Sequence, residues 1–444
     1  MKSGSVSRMF WRYTIPSVTA MLVSAAYQIV DGIFIGHAMG GEGLAAINMS
    51  WPWIGVLLAI GMMIGIGTGV QCGIAQGEGD LLRASRIMGQ GFWALMLLGL
   101  VSGLLLVNFS TFFLVLQGAE EGVGSLGRDY LRVMGFAAPL VLASIAIPFW
   151  VRNLGAPGFA TLCMATGAVA NIILDYLFIM HLGWELKGAA VATVLAESFS
   201  IAMGLFFIFS TRNRVPLNQG FLKLRPFLLG RVLATGFSSM LMYIYISFVV
   251  LLHNLLFMAY GGTLQVAAFT VVGYVLTLYY MFAEGVSGGM QPLVSYYKGE
   301  ENPRNIRQVT GLAMAVVLGT GVLMTSTVML VPGLAVWFFV SGDPELSAAA
   351  SLGMRLHLFA LFLDGFIVLT ASFLQSMGMA RKATMITLGN MFIQLPFLFI
   401  LPKIIGLQGV WIALPLSNVV LASIVSVFFF REMKKLKRKG EREG

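Results

Sequence analysis

The sequence predicts an all-α polytopic membrane protein with twelve transmembrane helices in two six-helix lobes. Of its 444 residues, 58% are hydrophobic and only 11% are charged, whereas charged residues make up about 25% of an average soluble domain. The 19 acidic and 28 basic side chains are too few to cover the roughly three soluble domains that this length would otherwise form. Disordered proteins have low hydrophobicity, and this chain is too apolar to be one of them. The composition therefore predicts a bilayer environment.

Twelve apolar segments are long enough to span a bilayer, which takes about 20 apolar residues per helix. The first segment follows basic residues, as a signal peptide would, but it continues without an Ala-x-Ala cleavage site and is interpreted as the first spanning helix. The predicted helices cover 10–36, 44–76, 87–116, 127–151, 159–182, 187–211, 227–260, 264–297, 308–332, 345–377, 383–405 and 408–430.

The basic residues are distributed unevenly between the two sides of these helices. If the N-terminus is inside, 23 of the 28 Lys and Arg residues fall in inner loops and tails. Cytoplasmic loops of membrane proteins carry this excess of positive charge. The pattern predicts a multi-pass protein of the cell inner (cytoplasmic) membrane with both termini in the cytoplasm. It also explains the net charge of +9 without a nucleic-acid partner.

The chain repeats itself weakly after half its length. Gly77-Glu78 follows the second predicted helix and Gly299-Glu300 follows the eighth, an offset of 222 residues. Because each half has an even number of helices, the halves share one orientation, and we expect them to be related by a pseudo-two-fold axis along the membrane normal. The predicted organisation is an N-terminal lobe at 1–211, a cytoplasmic linker at 212–226, a C-terminal lobe at 227–430 and a basic cytoplasmic tail at 431–444.

Five oxygen-bearing side chains of the first half lie in or near one predicted layer. Asp31 and Asp175 are about five and six residues inside the outer ends of their helices, or ~8 and ~9 Å deep. Asn171 lies one turn before Asp175 on the same face. Thr193 is at that depth in the sixth helix, and Glu197 lies one turn nearer the midplane. Such oxygens suit a hard cation, and two carboxylates in a low dielectric also suit a proton.

Two acids of the second half share another depth. Glu284 and Asp364 each lie 13 residues from the inner ends of the predicted eighth and tenth helices, ~20 Å from the inner surface. Ionisable groups inside a membrane are usually functional. The two acids are therefore expected to recognise a cationic substrate, and the alternative is a buried polar cluster that holds helices together.

Several functions lack their sequence signals. No GxxxxGK[ST] phosphate loop is present, so an ion gradient is the expected energy source. The two cysteines and four histidines are too scattered for a metal motif. The sequence predicts no cofactor and no enzymatic activity, with no metal beyond a Na⁺ at the oxygen layer.

Several motifs resemble the multidrug and toxic compound extrusion (MATE) transporters over nearly the whole chain. They are Tyr27-Gln28-Ile29-Val30-Asp31-Gly32-Ile33-Phe34-Ile35-Gly36, Gly73-Ile74-Ala75-Gln76-Gly77, Asn171-Ile172-Ile173-Leu174-Asp175, and Gly285 to Gly299 around Gln291-Pro292-Leu293. The resemblance implies two six-helix lobes that form a V around a central cavity, with cation- or proton-coupled antiport of organic cations.

The resemblance also implies roles for individual residues. Asp31, Asn171, Asp175 and Thr193 match the first-lobe ion site of the DinF-like branch, and Pro16 matches a proline proposed to kink the first helix. Asp364 matches a second-lobe acid of the NorM-like branch. That branch's glutamate on the seventh helix is missing, because the segment 243–248 holds no acid. The DinF-like branch is therefore favoured.

The predicted function is a secondary multidrug efflux antiporter that exports organic, mainly cationic, compounds in exchange for H⁺ or Na⁺, working as a monomer. The alternative is a lipid-linked oligosaccharide flippase of related architecture. Such a flippase would need several basic residues for pyrophosphate, and Arg355 is the only one well inside a predicted helix.

Overall fold

The structure, a computed structural model, describes residues 5–117, 119–210, 213, 215–217, 221–339 and 343–442, and all regular elements in these ranges are helical. Lys2, Arg212, Arg214 and parts of the predicted linker lie outside them. In chain order the α-helices are α1 (Val6–Gly77), α2 (Leu81–Val115), α3 (Glu121–Phe136), α4 (Ala138–Asn153), α5 (Pro157–Asp175), α6 (Glu185–Phe209), α7 (Pro226–Gly299), α8 (Pro303–Leu330), α9 (Pro332–Phe339), α10 (Pro344–Leu358), α11 (Leu361–Ser376), α12 (Ala380–Ile405) and α13 (Leu407–Arg442). A π-helix, Tyr176–His181, lies between α5 and α6.

The helices account for twelve membrane spans. In the described ranges eight helices are long and apolar enough to cross a bilayer, or ten when the bent pairs α3–α4 and α10–α11 each count as one span. Two of the eight, α1 and α7, have 72 and 74 residues. At 1.5 Å per residue each is over ~100 Å long, more than three times the ~30 Å hydrocarbon core. Each must therefore contain two spans, which brings the count to the predicted twelve.

A single glycine divides each of these two long helices. Gly40 has φ 61° and ψ −144°, and Gly262 has φ 68° and ψ −165°. A side chain would make this backbone conformation unfavourable, so glycine is the residue that permits it. The sequence predicts loops at 37–43 and 261–263. The chain is instead helical on both sides of each glycine, and helical geometry is broken at that one residue.

The internal repeat is visible in the backbone. Residues with positive φ recur at an offset of 222 or 223 residues, as Gly40 and Gly262, Gly79 and Glu301, Gly155 and Gly378, and Gly183 and Gly406. The N-caps of α2 and α8 also correspond, because Asp80 Oδ1 accepts from the Arg83 amide at 2.8 Å and Asn302 Oδ1 from the Asn305 amide at 3.0 Å. The weak sequence repeat therefore marks the positions at which each half turns.

Two spans predicted as continuous helices are bent. The helices α3 and α4 meet at 63°, and α10 and α11 at 46°. In the first case Pro139 lies in the first turn of α4, where a missing amide hydrogen is tolerated at a helix start but interrupts a continuing helix. These bends correct the predicted straight helices at 127–151 and 345–377.

The last helix continues through most of the predicted tail, up to Arg442. Glu432 anchors this extension, since its Oε1 lies 2.6 Å from Lys382 Nζ and 2.9 Å from Lys435 Nζ. Partial burial alone raises the pKa of Glu432, but the hydrogen bonds and charges of the two lysines outweigh it and hold the pKa below its usual value. The tail is thus a basic helix with one paired acid on its buried side.

The described chain divides into two compact units. The first consists mainly of Ile15–Ile244 and the second of Tyr245–Tyr297 together with Asn302–Gly444. The first unit packs an apolar core around Leu131, Leu142 and Trp150. The lobe boundaries expected from the sequence stay a prediction.

Candidate functional site

The first unit gathers the polar residues predicted from its three helices. We call Asp31 of α1, Asn171 and Asp175 of α5, and Thr193 and Glu197 of α6 the oxygen cluster. Asn171 Nδ2 donates to Thr193 Oγ1 at 3.4 Å, which joins α5 to α6. Asp31 and Asp175 are close enough to interact electrostatically. The structure therefore brings together the residues that the sequence places at similar depth.

Asp175 occupies the junction between α5 and the π-helix. Asn171 and Asp175 are both buried and one turn apart on the same face. The next six residues, Tyr176–His181, form the π-helix. Such π-helical turns are rare and often occur at functional sites. The wider turn changes the direction of the side chains that follow Asp175, so the end of this span differs from a regular α-helix.

Several oxygens of the cluster accept no hydrogen bond from the described protein atoms. Asp31 Oδ1, Asn171 Oδ1, both carboxylate oxygens of Asp175 and Glu197 Oε2 are buried in this way. Buried polar atoms are nearly always hydrogen-bonded, and an unsatisfied one is costly. A cation or a proton at the cluster would satisfy these acceptors. The arrangement is thus chemically suited to bind a positive ion.

Two further side chains adjoin the cluster and were missed by the sequence reasoning. Tyr130 of α3 is buried and interacts electrostatically with Asp31, Asp175 and Glu197. Ser144 of α4 lies close enough to Glu197 to interact with it, while its hydroxyl donates to the Val141 oxygen at 2.8 Å. Neither residue stands out in an apolar helix, and no spacing links it to the acids. Only the packing of α3 and α4 shows their position.

Pro16, the predicted kink, lies inside α1. Its backbone oxygen accepts a hydrogen bond of 2.7 Å from Thr161 Oγ1 of α5. In α1 the backbone leaves helical geometry at Gly40. A kink at Pro16 stays a prediction, and the contact with Thr161 ties this part of α1 to the helix that carries Asp175.

The second unit holds Asp364 in a separate hydrogen-bonded group. Asp364 Oδ1 accepts from Asn418 Nδ2 at 2.7 Å and from Tyr280 Oη at 3.3 Å, and the residue is only 4% exposed. Glu284 is half-buried and lies one turn after Tyr280 on the same face of α7. The pairing of Glu284 with Asp364 stays a prediction. Tyr280 and Asn418 are the partners that the sequence did not identify.

No metal cluster is evident in the part of the chain that is described, since no three His, Cys, Asp or Glu side chains there could hold a metal ion. Ion binding at the oxygen cluster would accordingly use its amide and hydroxyl oxygens beside the carboxylates. Such mixed oxygen sets suit hard cations.

Twelve apolar spans, a duplicated backbone and polar clusters within the membrane define a polytopic α-helical membrane protein of the transporter class, not an enzyme. The MatE family model matches residues 16–177 and, again, 238–400. The chain therefore belongs to the MatE family.

Two curated relatives match almost the full length. Multidrug export protein MepA of Staphylococcus haemolyticus (strain JCSC1435) is 24% identical over 440 residues, which cover 98% of this chain and 96% of that protein. The protein of the same name from Staphylococcus aureus (strain NCTC 8325 / PS 47) is 26% identical over 435 residues, 96% of this chain and 94% of that protein.

Solved structures show the same fold. A MATE protein in complex with MaL6 has a TM-score of 0.91 at 22% identity, and 98% of both chains are covered. An outward-facing multidrug resistance MATE family transporter of the MOP superfamily has a TM-score of 0.90 at 23% identity, over 98% of this chain and 97% of that one. The twelve-helix fold inferred from the sequence is confirmed.

Proposed function

We propose that this protein is a secondary active antiporter that exports small organic compounds in exchange for H⁺ or Na⁺ bound at the oxygen cluster. The buried, unsatisfied oxygens of Asp31, Asn171 and Asp175 carry the proposal, because a positive ion would supply what the protein does not. The multidrug export named for the staphylococcal relatives supports organic cargo.

The two carboxylates have the central role in this mechanism. Each contributes negative charge in a medium of low dielectric, where the attraction for a cation is stronger than in water. Binding of the driving ion removes the repulsion between Asp31 and Asp175, whereas its release restores that repulsion. A conformation in which the two acids are apart therefore competes with the conformation in which they bind the ion together. Coupling to export follows if the cargo favours the state without the ion.

The second-unit acids are proposed to serve the cargo. Asp364 lies 12 residues before the end of α11, ~18 Å along the helix. Glu284 and Asp364 would offer negative charge to cationic compounds, while the oxygen cluster binds the driving ion. We also propose that both termini face the cytoplasm, that the protein works as a monomer, and that it belongs to the DinF-like branch.

Transport by reconstituted protein tests the ion site. Proteoliposomes would be given a proton gradient or a sodium gradient separately, and uptake of a fluorescent organic cation would be measured. Asp31→Asn and Asp175→Asn should each abolish gradient-driven transport, because the amide keeps the shape and removes the charge. Asp129→Asn is the matched control, since Asp129 is exposed and precedes Tyr130 on α3. Transport near the parent rate in both cluster variants would refute the proposed site.

Substrate charge tests the second-unit acids. Glu284→Gln and Asp364→Asn should slow transport of a cationic compound more than that of a neutral one, and the dependence on pH and Na⁺ should stay as in the parent. If these variants instead shift the ion dependence and leave substrate preference unchanged, the roles of the two groups are reversed.

A further inference from the structure

Two buried histidines meet in the second unit. His253 of α7 and His357 of α10 are 0% and 3% exposed, and we call them the histidine pair. Their ring centroids are 5.3 Å apart, with the ring planes at 87°. Phe257, Phe269 and Trp411 surround the pair, and the ring of Phe269 stacks on His253 at 5.1 Å. Neither histidine has a role in the proposed antiport.

Backbone carbonyls determine the tautomer of both rings. His253 Nδ1 lies 2.9 Å from the Val249 oxygen, and His357 Nδ1 lies 2.8 Å from the Trp411 oxygen. A carbonyl oxygen only accepts, so each Nδ1 carries the hydrogen and each Nε2 of the neutral ring keeps its lone pair. Neither Nε2 has a hydrogen-bond partner among the described protein atoms. Two buried nitrogen acceptors are therefore left unsatisfied.

The backbone hydrogen bonds of the two rings are of the kind that metal-binding histidines make. Such a histidine almost always donates its second ring N–H to a backbone carbonyl or a carboxylate, which fixes the ring and directs the other nitrogen to the metal. Two imidazoles that bind one metal at ~2.0 Å, with about 110–120° between the two bonds as in a site completed by a further ligand, have ring centroids about 5–5.5 Å apart. The observed separation of 5.3 Å matches this spacing.

The residues around the histidine pair indicate the charge and the type of metal ion that would bind there. Among the residues that the structure describes, the only ionisable group found to act on His253 is His357, and none is found to act on His357. Arg355, two residues before His357 on α10, is exposed. No carboxylate therefore offsets a second positive charge. Aromatic faces stabilise a cation, and Met354, fully buried one turn before His357, offers a thioether on the same helical face. Imidazole and thioether ligands suit copper, and thioether selects its monovalent state.

We propose that the histidine pair binds a soft monovalent cation, Cu(I) or Ag(I), through the two Nε2 atoms. A cavity of about 520 Å³ in the same unit is lined by residues that include Trp411, Gln265 and Leu352. Trp411 also donates from Nε1 to Gln265 Oε1 at 3.2 Å. Trp411 therefore contacts both the cavity and His357. The site does not depend on the antiport proposal.

Silver binding to purified full-length protein tests the site. The measurement uses a Cys72→Ser/Cys163→Ser background, which removes both thiols, and native mass spectrometry counts bound Ag⁺. The test variants are His253→Phe, which keeps a stacked ring, and His357→Gln, which keeps a donor for the Trp411 oxygen. The control is His37→Ala/His181→Ala, since these two histidines are exposed.

One Ag⁺ per chain should bind to the parent and the control, and roughly tenfold or more weakly to either test variant. Equal binding by parent and test variants would overturn the proposal. If a variant does not elute as a folded protein, the ligands of the metal are identified in the parent instead, by X-ray absorption spectroscopy of the Cu(I)-loaded protein. At least two nitrogen neighbours at ~2 Å are expected, and a first shell of sulfur alone would overturn the site.

Discussion

The hydrogen bonds of Asp364 lead to a ranked prediction about stability. The 2.7 Å distance to Asn418 Nδ2 is typical of a charge-assisted N–H···O bond, and bonds to charged groups contribute about 1.5–3 kcal/mol. The 3.3 Å distance to Tyr280 Oη exceeds the ~2.5–3.0 Å range of O–H···O bonds, so this contact should contribute about 0.5–1 kcal/mol. Coupling to Asp364 should therefore be larger for Asn418 than for Tyr280.

A double-mutant cycle measures this coupling. Asn418→Ala and Tyr280→Phe are each combined with Asp364→Leu, which has the same branching as aspartate and no acceptor. The free energy of unfolding is measured in detergent for every single and double variant. The cycle isolates the pairwise contribution from the cost of each substitution alone.

The expected coupling is about 1.5–3 kcal/mol for Asn418 and under about 1 kcal/mol for Tyr280. Asn108→Ala is the control, because Asn108 is exposed on α2 in the first unit and its effect should simply add to that of Asp364→Leu. A reversed ranking, or a coupling near zero for Asn418, would refute the assignment of Asp364 as a charged acceptor.

Three other predictions concern single positions. Gly40→Ala should cost about 1–3 kcal/mol of unfolding free energy, because φ 61° with ψ −144° lies close to a backbone region that essentially only glycine adopts, although no atom blocks the new carbon. Gly41→Ala, also unhindered but without positive φ, should be neutral or stabilising in the same assay, and equal costs would contradict the explanation. Lys382→Met should lower the stability by roughly 1 kcal/mol at pH 7. The pKa of Glu432 in the folded protein lies below its ordinary value near 4.5. The stabilisation by Lys382 is therefore complete above pH 4.5 and is lost as the pH falls through the folded pKa. The difference in thermal stability between the parent and Lys382→Met should accordingly be larger at pH 7 than at pH 3. Thr193→Val should raise the Na⁺ concentration needed for half-maximal transport about tenfold if Na⁺ drives export, since a hydroxyl ligand is lost, whereas a proton-driven rate should change little.

The sequence predicted most of the fold because bilayer thickness sets a minimum length for every apolar segment. It also predicted a common depth for Asp31, Asp175 and Thr193, and a shared face for Asn171 and Asp175 by simple helical spacing. Both inferences use distances along one helix. They need no knowledge of how one helix packs against another.

Features that depend on packing were not predictable in this way. Tyr130 and Ser144 join the cluster from helices whose rotation the apolar pattern does not determine. The π-helix after Asp175 leaves no signal in composition, because its residues would equally suit an α-helix. The histidine pair comes from positions more than 100 residues apart in the sequence, so spacing alone had ruled out a metal motif.

The matching turns of the two halves bear on the history of the gene. Positive φ at matching positions of both halves is what a duplicated gene would leave, whereas the side chains that carry chemistry differ between the halves. The oxygen cluster and the π-helix occur in the first copy, and the tyrosine-bound acid and the histidine pair in the second. A duplicated chain can thus keep the places where it changes direction while each half carries its own polar groups. Relatives of this protein are expected to vary far more in their polar side chains than in their turning glycines.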